Sequence, residues 1–369
     1  MIKDLATTRD EIDHIDAQIV ALFEKRMELV EEVIKYKLEN NLQIFQSSRE
    51  KEVIQKNIAR LKNPGLASYL DNFFSDLMNI SKSYQATFIP PVKKYQSAPV
   101  VENPIVGYQG VPGSFSSMAM NSYFGDVQSK CYKSFHDVFE AIENDEIDYG
   151  ILPLENSSTG AINDNYDLVR DYNFYIVGEC KIKIEHNLLG IKGAKLEDIN
   201  EVFSHPQGLL QTSEFLEGHP AIKATSFSNT AASAKYVSEL QDPTKGAIAS
   251  IQAGELYGLD VIAKNIENST SNTTRFIVVA KNLQVRPDAS NISIIFTLAH
   301  EVGSLYNVLK TMKDHQLNLT RLESRPIVGK DWQYYFYIDF QGNLEDANVQ
   351  EAISHLGSLA VKFNVIGNY

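Results

Sequence analysis

Apolar residues in the first 86 positions recur at three- and four-residue steps. Leu5, Ile12, Ile15, Ile19, Leu22, Leu29, Val33 and Ile34 fall on one helical stripe, with no breaker before Asn40-Asn41. The spacing predicts one helix of about 34 residues, a rod of roughly 50 Å. Shorter helices are expected at 45–61 and 66–85, too short to cover that stripe, so the long helix is expected to pair with a second copy of the chain. Pro90, Pro91, Pro99 and Pro104 then interrupt all periodicity and mark 87–104 as a linker. From 105 to 283 short β-branched runs alternate with helical segments, the texture of an α/β domain. A break at Gln284 to Asp288 leads into 289–369, which reads β-α-β-β-α-β. Its strands are expected at 292–299, 317–327, 333–340 and 360–366, and its helices at 303–314 and 345–356, a ferredoxin-like plan.

Composition narrows the field. Of 369 residues, 43% are apolar and 22% charged, ordinary for a globular chain. The best apolar run, Ile292 to Ala299, stops at His300-Glu301, too short to span a membrane, and Met1 to Leu5 shows no apolar signal core. A soluble cytoplasmic protein is expected. Cys131 and Cys180 cannot form a disulfide framework. His300-Glu301 opens an H-E-x-x-H whose fifth position is Ser304, and the glycines at 107, 110 and 113 are not spaced as a dinucleotide fingerprint. Neither a metal nor a cofactor is expected. With 34 basic against 47 acidic residues the chain carries −13, which repels nucleic acid. An anionic ligand would therefore need the few cations gathered in pockets.

In the helical region Arg26 and Lys37 are eleven apart, three turns, and face the same way. Gln46, Arg49 and Glu50 share a face of the second helix, Ser81 and Gln85 one of the third. Arg9 precedes Arg26 by seventeen residues, about 100° around the helix and about 25 Å along it. It cannot reach Arg26's pocket from the same chain, but an antiparallel partner could bring it there. Taken singly, each of these is a solvated helical charge; together they resemble the all-helical chorismate mutase domain. That resemblance implies an intertwined dimer, or a tetramer built from it, in which Arg9 of the partner and Arg26 grip the carboxylates of chorismate and Arg49 supports them. It further implies that Lys37 and Gln85 donate to the ether oxygen, that Glu50 orients the substrate hydroxyl, and that Gln46 stands where the family often has an aspartate. The rearrangement to prephenate needs conformational restraint and charge stabilisation rather than a nucleophile.

Four segments stand out in the middle region. Gly107 to Ser116 follows a strand, opens a helix and contains Ser114; a loop of this kind can cradle an anion. Pro153 to Gly160 carries Glu155 and Asn156 and could equally be a helix cap. Ser204-His205-Pro206-Gln207 follows an apolar strand, and a lone histidine there is commonly a packing or capping residue. Asn272 to Phe276 leads into another strand. Collectively they resemble prephenate dehydratase, whose threonine-arginine-phenylalanine motif is Thr274-Arg275-Phe276; Ser117 departs from a histidine common in that family. The resemblance implies a two-lobed α/β domain similar to periplasmic binding proteins, with Thr274 as acid, Arg275 as carboxylate anchor, and Asn156, Gln207 and Ser114 as polar positioning groups. Glu155, Ser204, His205 and Phe276 complete the implied site, and Glu155 or His205 would be the next acid candidates.

In the last region Gly303-Ser304-Leu305 starts a helix, Asn318-Leu319 follows it, and Glu323-Ser324-Arg325-Pro326 resembles the ACT regulatory domain that closes prephenate dehydratases. This implies phenylalanine as an effector at Gly303, Ser304, Leu305, Asn318, Leu319, Glu323 and Ser324. The combined expectation is an enzyme that converts chorismate to prephenate and prephenate to phenylpyruvate under feedback by phenylalanine. Its rivals are a mutase fused to an NAD-dependent dehydrogenase, a dehydratase with a weakened mutase, and a non-catalytic amino-acid sensor.

Overall fold

The computed structural model describes residues 4–40, 47–86, 88, 95–327, 329–330 and 332–369. The predicted long helix forms as α1 (Leu5–Glu39). Asp4 starts it by accepting from the backbone N–H groups of Ala6 and Thr7, which satisfies two donors that a helix start otherwise leaves open. Helix α2 (Ser47–Ile58) ends earlier than periodicity suggests. A short 3₁₀ turn, Pro64–Leu66, capped by the Asn63 side chain, redirects the chain into α3 (Ala67–Ala86).

The chain continues through β1 (Ile105–Gln109), α4 (Phe115–Phe124), β2 (Gln128–Tyr132), α5 (Phe135–Glu143), β3 (Tyr149–Asn156), β4 (Gly160–Ala161), α6 (Asn163–Asp171), β5 (Tyr175–Lys183) and β6 (Asn187–Gly190). There follow β7 (Glu201–Ser204), α7 (Pro206–Gln211), α8 (Ser213–Glu217), β8 (Lys223–Ser226), α9 (Thr230–Leu240), β9 (Lys245–Ala249), α10 (Ile251–Tyr257), β10 (Asp260–Ala263) and β11 (Thr273–Ala280). The last elements are β12 (Asn291–Thr297), α11 (Ser304–Asp314), β13 (Leu319–Pro326), β14 (Tyr334–Gln341), α12 (Ala347–Leu359) and β15 (Lys362–Asn368). Their β-α-β-β-α-β order is as predicted, with ends shifted by at most three residues.

Two compact units result, one of 1–94 with 295–364, the other of 95–294 with 365–369. In the first, α3 packs against α1, α2 and α12, and α11 against α12. Its strands run β13-β14-β12-β15, the ferredoxin-like order. Along α1 only Met27 and Ile34 are buried; Leu5, Ile12, Ile15, Ile19, Leu22, Leu29 and Val33 are 47–67% exposed.

The second unit has two lobes. One sheet runs β5-β11-β3-β1-β2, with β1 parallel to β2 and β3, and with β11 antiparallel to both neighbours. Val106, Tyr108, Ile151, Phe276 and Val278 fill its core against α4. The other sheet runs β10-β6-β9-β7-β8 and is apolar on both faces, since it carries one cluster around Leu189 and Ala247 and another around Leu188 and Ile248. The chain crosses between lobes twice, from β5 to β6 and from β10 to β11. Thr274 therefore lies on a strand that has returned to the first lobe.

Candidate active sites

Register places Thr274 opposite Asn156 at the ends of β11 and β3. Both are buried, and the Asn156 Nδ2 donates to Thr274 Oγ1 at 2.8 Å and to Asn272 Oδ1 at 2.8 Å. The amide orientation is determined by its other end: Oδ1 accepts from the backbone N–H of Ser158 (2.9 Å) and Thr159 (3.2 Å). A β-bulge precedes this pair. Phe276 pairs with Pro153 but Arg275 with Glu155, so Leu154 is the extra residue, and its carbonyl accepts from Ile162. Bulges bend a strand and re-aim the side chains beyond them.

Among the described residues, the second lobe reaches the loop after β3 through the side chain of Gln207. Gln207 Nε2 donates to Thr159 Oγ1 at 2.7 Å. Its neighbours do other work. Ser204 is fully buried and donates to the Ile248 carbonyl at 2.7 Å, tying β7 to β9. His205 caps α7, its Nδ1 accepting from Gln207 N–H at 3.2 Å, and partial desolvation shifts its pKa downward. Ser204 is thus a packing residue and His205 a cap.

The glycine loop meets the second lobe too. Gly110 has φ +116°, and a Cβ there would lie 3.1 Å from both Asn229 Nδ2 and Ser114 Oγ. Only glycine lets these groups converge. Ser114 caps α4 and Asn229 caps α9, so two positive helix ends meet at the loop. Tyr257 donates to the Pro112 carbonyl at 2.8 Å and Ser250 to that of Gly113 at 3.3 Å.

Two motif residues are not brought to Thr274's polar cluster. Alternation along β11 sends Arg275 to the opposite face, where Nε donates to Glu179 Oε2 at 2.6 Å and NH2 to the Tyr369 hydroxyl at 2.7 Å. The expected carboxylate anchor is therefore engaged elsewhere. Phe276 is 2% exposed and belongs to the lobe core. Glu155 shares Arg275's register position rather than Thr274's.

On the helical unit Arg26 hydrogen-bonds Ser81 across α1 and α3 and also reaches Met78 Sδ. Partial burial lowers the Arg26 pKa, with no consequence near neutrality. Higher up, Tyr84 donates to Glu31 at 3.2 Å, so the two helices run in the same direction. This carries Lys37 and Gln85, both half-buried, onward together. Arg9 is exposed. Gln46 lies outside the described residues, and Arg49 and Glu50 are placed only by the backbone of α2.

Residues 8–86 match the family model of chorismate mutase type II, and residues 106–284 that of prephenate dehydratase. Over 373 residues the chain is 33% identical to the bifunctional chorismate mutase/prephenate dehydratase of Escherichia coli (strain K12), covering 99% of this chain and 96% of that protein. The chain belongs to the bifunctional chorismate mutase/prephenate dehydratase family. Its fold is also similar to the prephenate dehydratase of Arthrobacter aurescens solved in complex with L-Phe (TM-score 0.66, 27% identity, 72% of this chain and 89% of that one). A structure described as GqqA, a novel type of quorum quenching acylase, matches equally well (TM-score 0.66, 27% identity, 72% and 97%).

Like its relatives, then, this bifunctional mutase/dehydratase converts chorismate to prephenate and prephenate to phenylpyruvate. No helix among the described residues is long and apolar enough to cross a membrane. Sequence reasoning missed the supporting residues Thr159, His186, Gln211, Asn229 and the role of Asn272. His186 is 1% exposed at the first lobe crossing, its Nε2 is 2.8 Å from Gln211 Oε1, and burial depresses its pKa. No local motif marks such residues; only their position between lobes does. In the C-terminal region Gly303 has φ +83° ahead of Ser304 and Leu305 on α11, while Asn318 donates to Gln341 at 2.9 Å just before Leu319 opens β13. Glu323 lies 3.7 Å from Arg321, and Ser324 pairs with Phe336.

Proposed function

We propose that Thr274 is the hydrogen-bond donor to the leaving hydroxyl of prephenate, and the observation that carries this is the Asn156 amide donating into Thr274 Oγ1. With the amide orientation held by two backbone N–H groups, the threonine oxygen accepts from Asn156. Its own proton is then directed away from Asn156, toward substrate. Accepting a hydrogen bond also strengthens the hydroxyl as a donor. As the ring C–O bond breaks, the C–C bond to the ring carboxylate releases its electron pair into the ring, which becomes aromatic. Carbon dioxide departs, and the leaving oxygen takes the Thr274 Oγ1 proton to become water, after which Thr274 is reprotonated from solvent. The helix starts at Ser114 and Asn229, rather than Arg275, supply the positive potential for the carboxylates. Gln207 and Thr159 fasten the second lobe over the pair.

For the mutase, the reading is a site completed by a second copy. A helix of 35 residues with nine large apolar side chains 47–67% exposed supports a dimer along α1. Arg26 lies beside Ser81, Lys37 and Gln85 follow along the same two helices, and Arg9 of the other copy completes the carboxylate grip. The C-terminal β-α-β-β-α-β region is an ACT domain that binds phenylalanine at the α11 start and β13, lowering dehydratase turnover. The domain division is 1–86, 105–283 and 289–369, and no metal or cofactor takes part.

Thr274→Val tests the dehydratase reading. Given chorismate, the purified variant is expected to accumulate prephenate, while phenylpyruvate formation drops by about 100-fold or more. Near-full phenylpyruvate formation would remove Thr274 from the chemistry.

A further inference from the structure

Arg275, a cation next to the reacting threonine, faces the other side of the sheet. The surroundings of its guanidinium are built rather than incidental. The Arg275 side chain is only 14% exposed, with Glu179 on β5 taking Nε at 2.6 Å. Tyr369, 4% exposed, takes NH2 at 2.7 Å through its phenol oxygen, and that oxygen shares a second hydrogen bond of 2.9 Å with fully buried Ser293 on β12. The phenol itself is held from behind. Tyr369 exchanges backbone hydrogen bonds with Asn291 (2.9 and 2.8 Å), and its carbonyl also accepts from Ser290 at 2.9 Å. Two residues earlier Gly367 pairs with Ile176 of β5, so closely that a Cβ at 367 would come within 2.6 Å of the Ile176 carbonyl oxygen. Every residue in this chain of contacts belongs to the second unit.

The position along β11 gives this arrangement a consequence. Arg275 is the residue at which the β3 bulge opens, between the regular pairing of Phe276 with Pro153 and the displaced pairing of Thr274 with Asn156. The β11–β5 ladder stays regular through Thr274, Arg275 and Phe276, so the irregularity lies on the β3 side, where the extra Leu154 interrupts the pairing that brings Asn156 to Thr274. Glu179 on β5 and Tyr369, which follows β15 beyond β5, both hold the guanidinium on the β5 side of β11. Together they restrain the Arg275 side chain, and through it small shifts of β11 against the interrupted β3 side, where Thr274 presents its hydroxyl to Asn156 and the substrate.

We infer that Tyr369 is a positioning residue of the dehydratase, acting through Arg275 on the aim of Thr274. The inference rests on the assignment of Thr274 as donor. In this account Tyr369 touches neither substrate nor reacting atoms, so removing its hydroxyl misdirects the chemical step while leaving substrate binding nearly intact.

The test uses the full-length enzyme, with prephenate as substrate for the dehydratase and chorismate for the mutase. Tyr369→Phe keeps the ring and its packing and deletes the hydroxyl alone. Dehydratase kcat is expected to fall about tenfold with KM within about twofold, and mutase turnover is expected to be unchanged. In an Arg275→Gln background, Tyr369→Phe should cause no additional loss, because its path to Thr274 is already cut. Unchanged dehydratase kcat in Tyr369→Phe would overturn the inference. So would losses that multiply in the double variant, or a parallel drop in mutase turnover, since either indicates general damage. Thr274→Val, assayed alongside, separates the two levels. If it is inactive while Tyr369→Phe is normal, only the role of Tyr369 falls; if it is active, both readings fall.

Discussion

Replacing Asn156 by aspartate reverses a single hydrogen bond and leaves the shape of the site intact. The carboxylate still accepts from the N–H groups of Ser158 and Thr159, so the loop after β3 keeps its anchor. It cannot donate, however, to Thr274 Oγ1 or to Asn272 Oδ1, each 2.8 Å from the present amide nitrogen. The threonine proton then turns toward the carboxylate. Hydrogen bonds to charged groups contribute about 1.5–3 kcal/mol, and this one must break before Thr274 can serve the leaving hydroxyl. At about 1.4 kcal/mol per factor of ten, dehydratase kcat should fall by about 10- to 150-fold. The pH dependence gives a second, independent check. Asn156 is 4% exposed, and burial raises the pKa of a carboxyl placed there. Once protonated, the acid can donate to Thr274 again, so the ratio of variant to wild-type kcat should climb as pH falls. The assay is phenylpyruvate formation from prephenate between about pH 8 and 5, where folded domains in general retain most of their stability. Activity of Asn156→Asp within twofold of wild type at neutral pH, or a ratio independent of pH, would refute the donor direction on which the mechanism rests.

Three other outcomes follow from the same structure. Arg9→Ala and Arg26→Ala should each abolish mutase activity, yet a refolded equimolar mixture should recover about a quarter of wild-type sites, because one site of each mixed dimer has both arginines; no recovery would place both residues in one chain's site. Lys37→Ala should lower mutase kcat by about 100-fold or more with dehydratase turnover and dimer mass unchanged, as measured by parallel assays and light scattering. Burial, with His315 and Lys82 nearby, lowers the His355 pKa from 6.5 to about 4, so the unfolded chain takes up a proton first as pH falls. Stability should therefore decline from pH 6.5 toward 4 by up to roughly 3 kcal/mol, and His355→Asn should flatten that part of a denaturation series.

Much of this architecture can be read from the chain by itself, because the relevant forces are local. The stripe from Leu5 to Ile34 has one period, and no breaker interrupts it, so α1 had to be a single rod. The β-α-β-β-α-β alternation after Asp288 depends on periods of two and 3.6 and on turn residues, all visible without coordinates. The motif Thr274-Arg275-Phe276 was equally legible, but its members' roles were not. Alternation puts adjacent side chains of a strand on opposite faces, but three letters do not say which of those faces looks into the site. Asn156 on one face and Glu179 and Tyr369 on the other decide that Thr274 meets the site and that Arg275 is held away from it. The same holds for Ser204 and His205, which read as site residues and are spent on Ile248 and on the start of α7. Conversely, Thr159 and Asn229 are unremarkable in sequence and become important only where two lobes meet. Periodicity and capping act over a few residues and are written in order along the chain; the convergence of hydrogen bonds from residues more than a hundred positions apart is a property of tertiary packing alone.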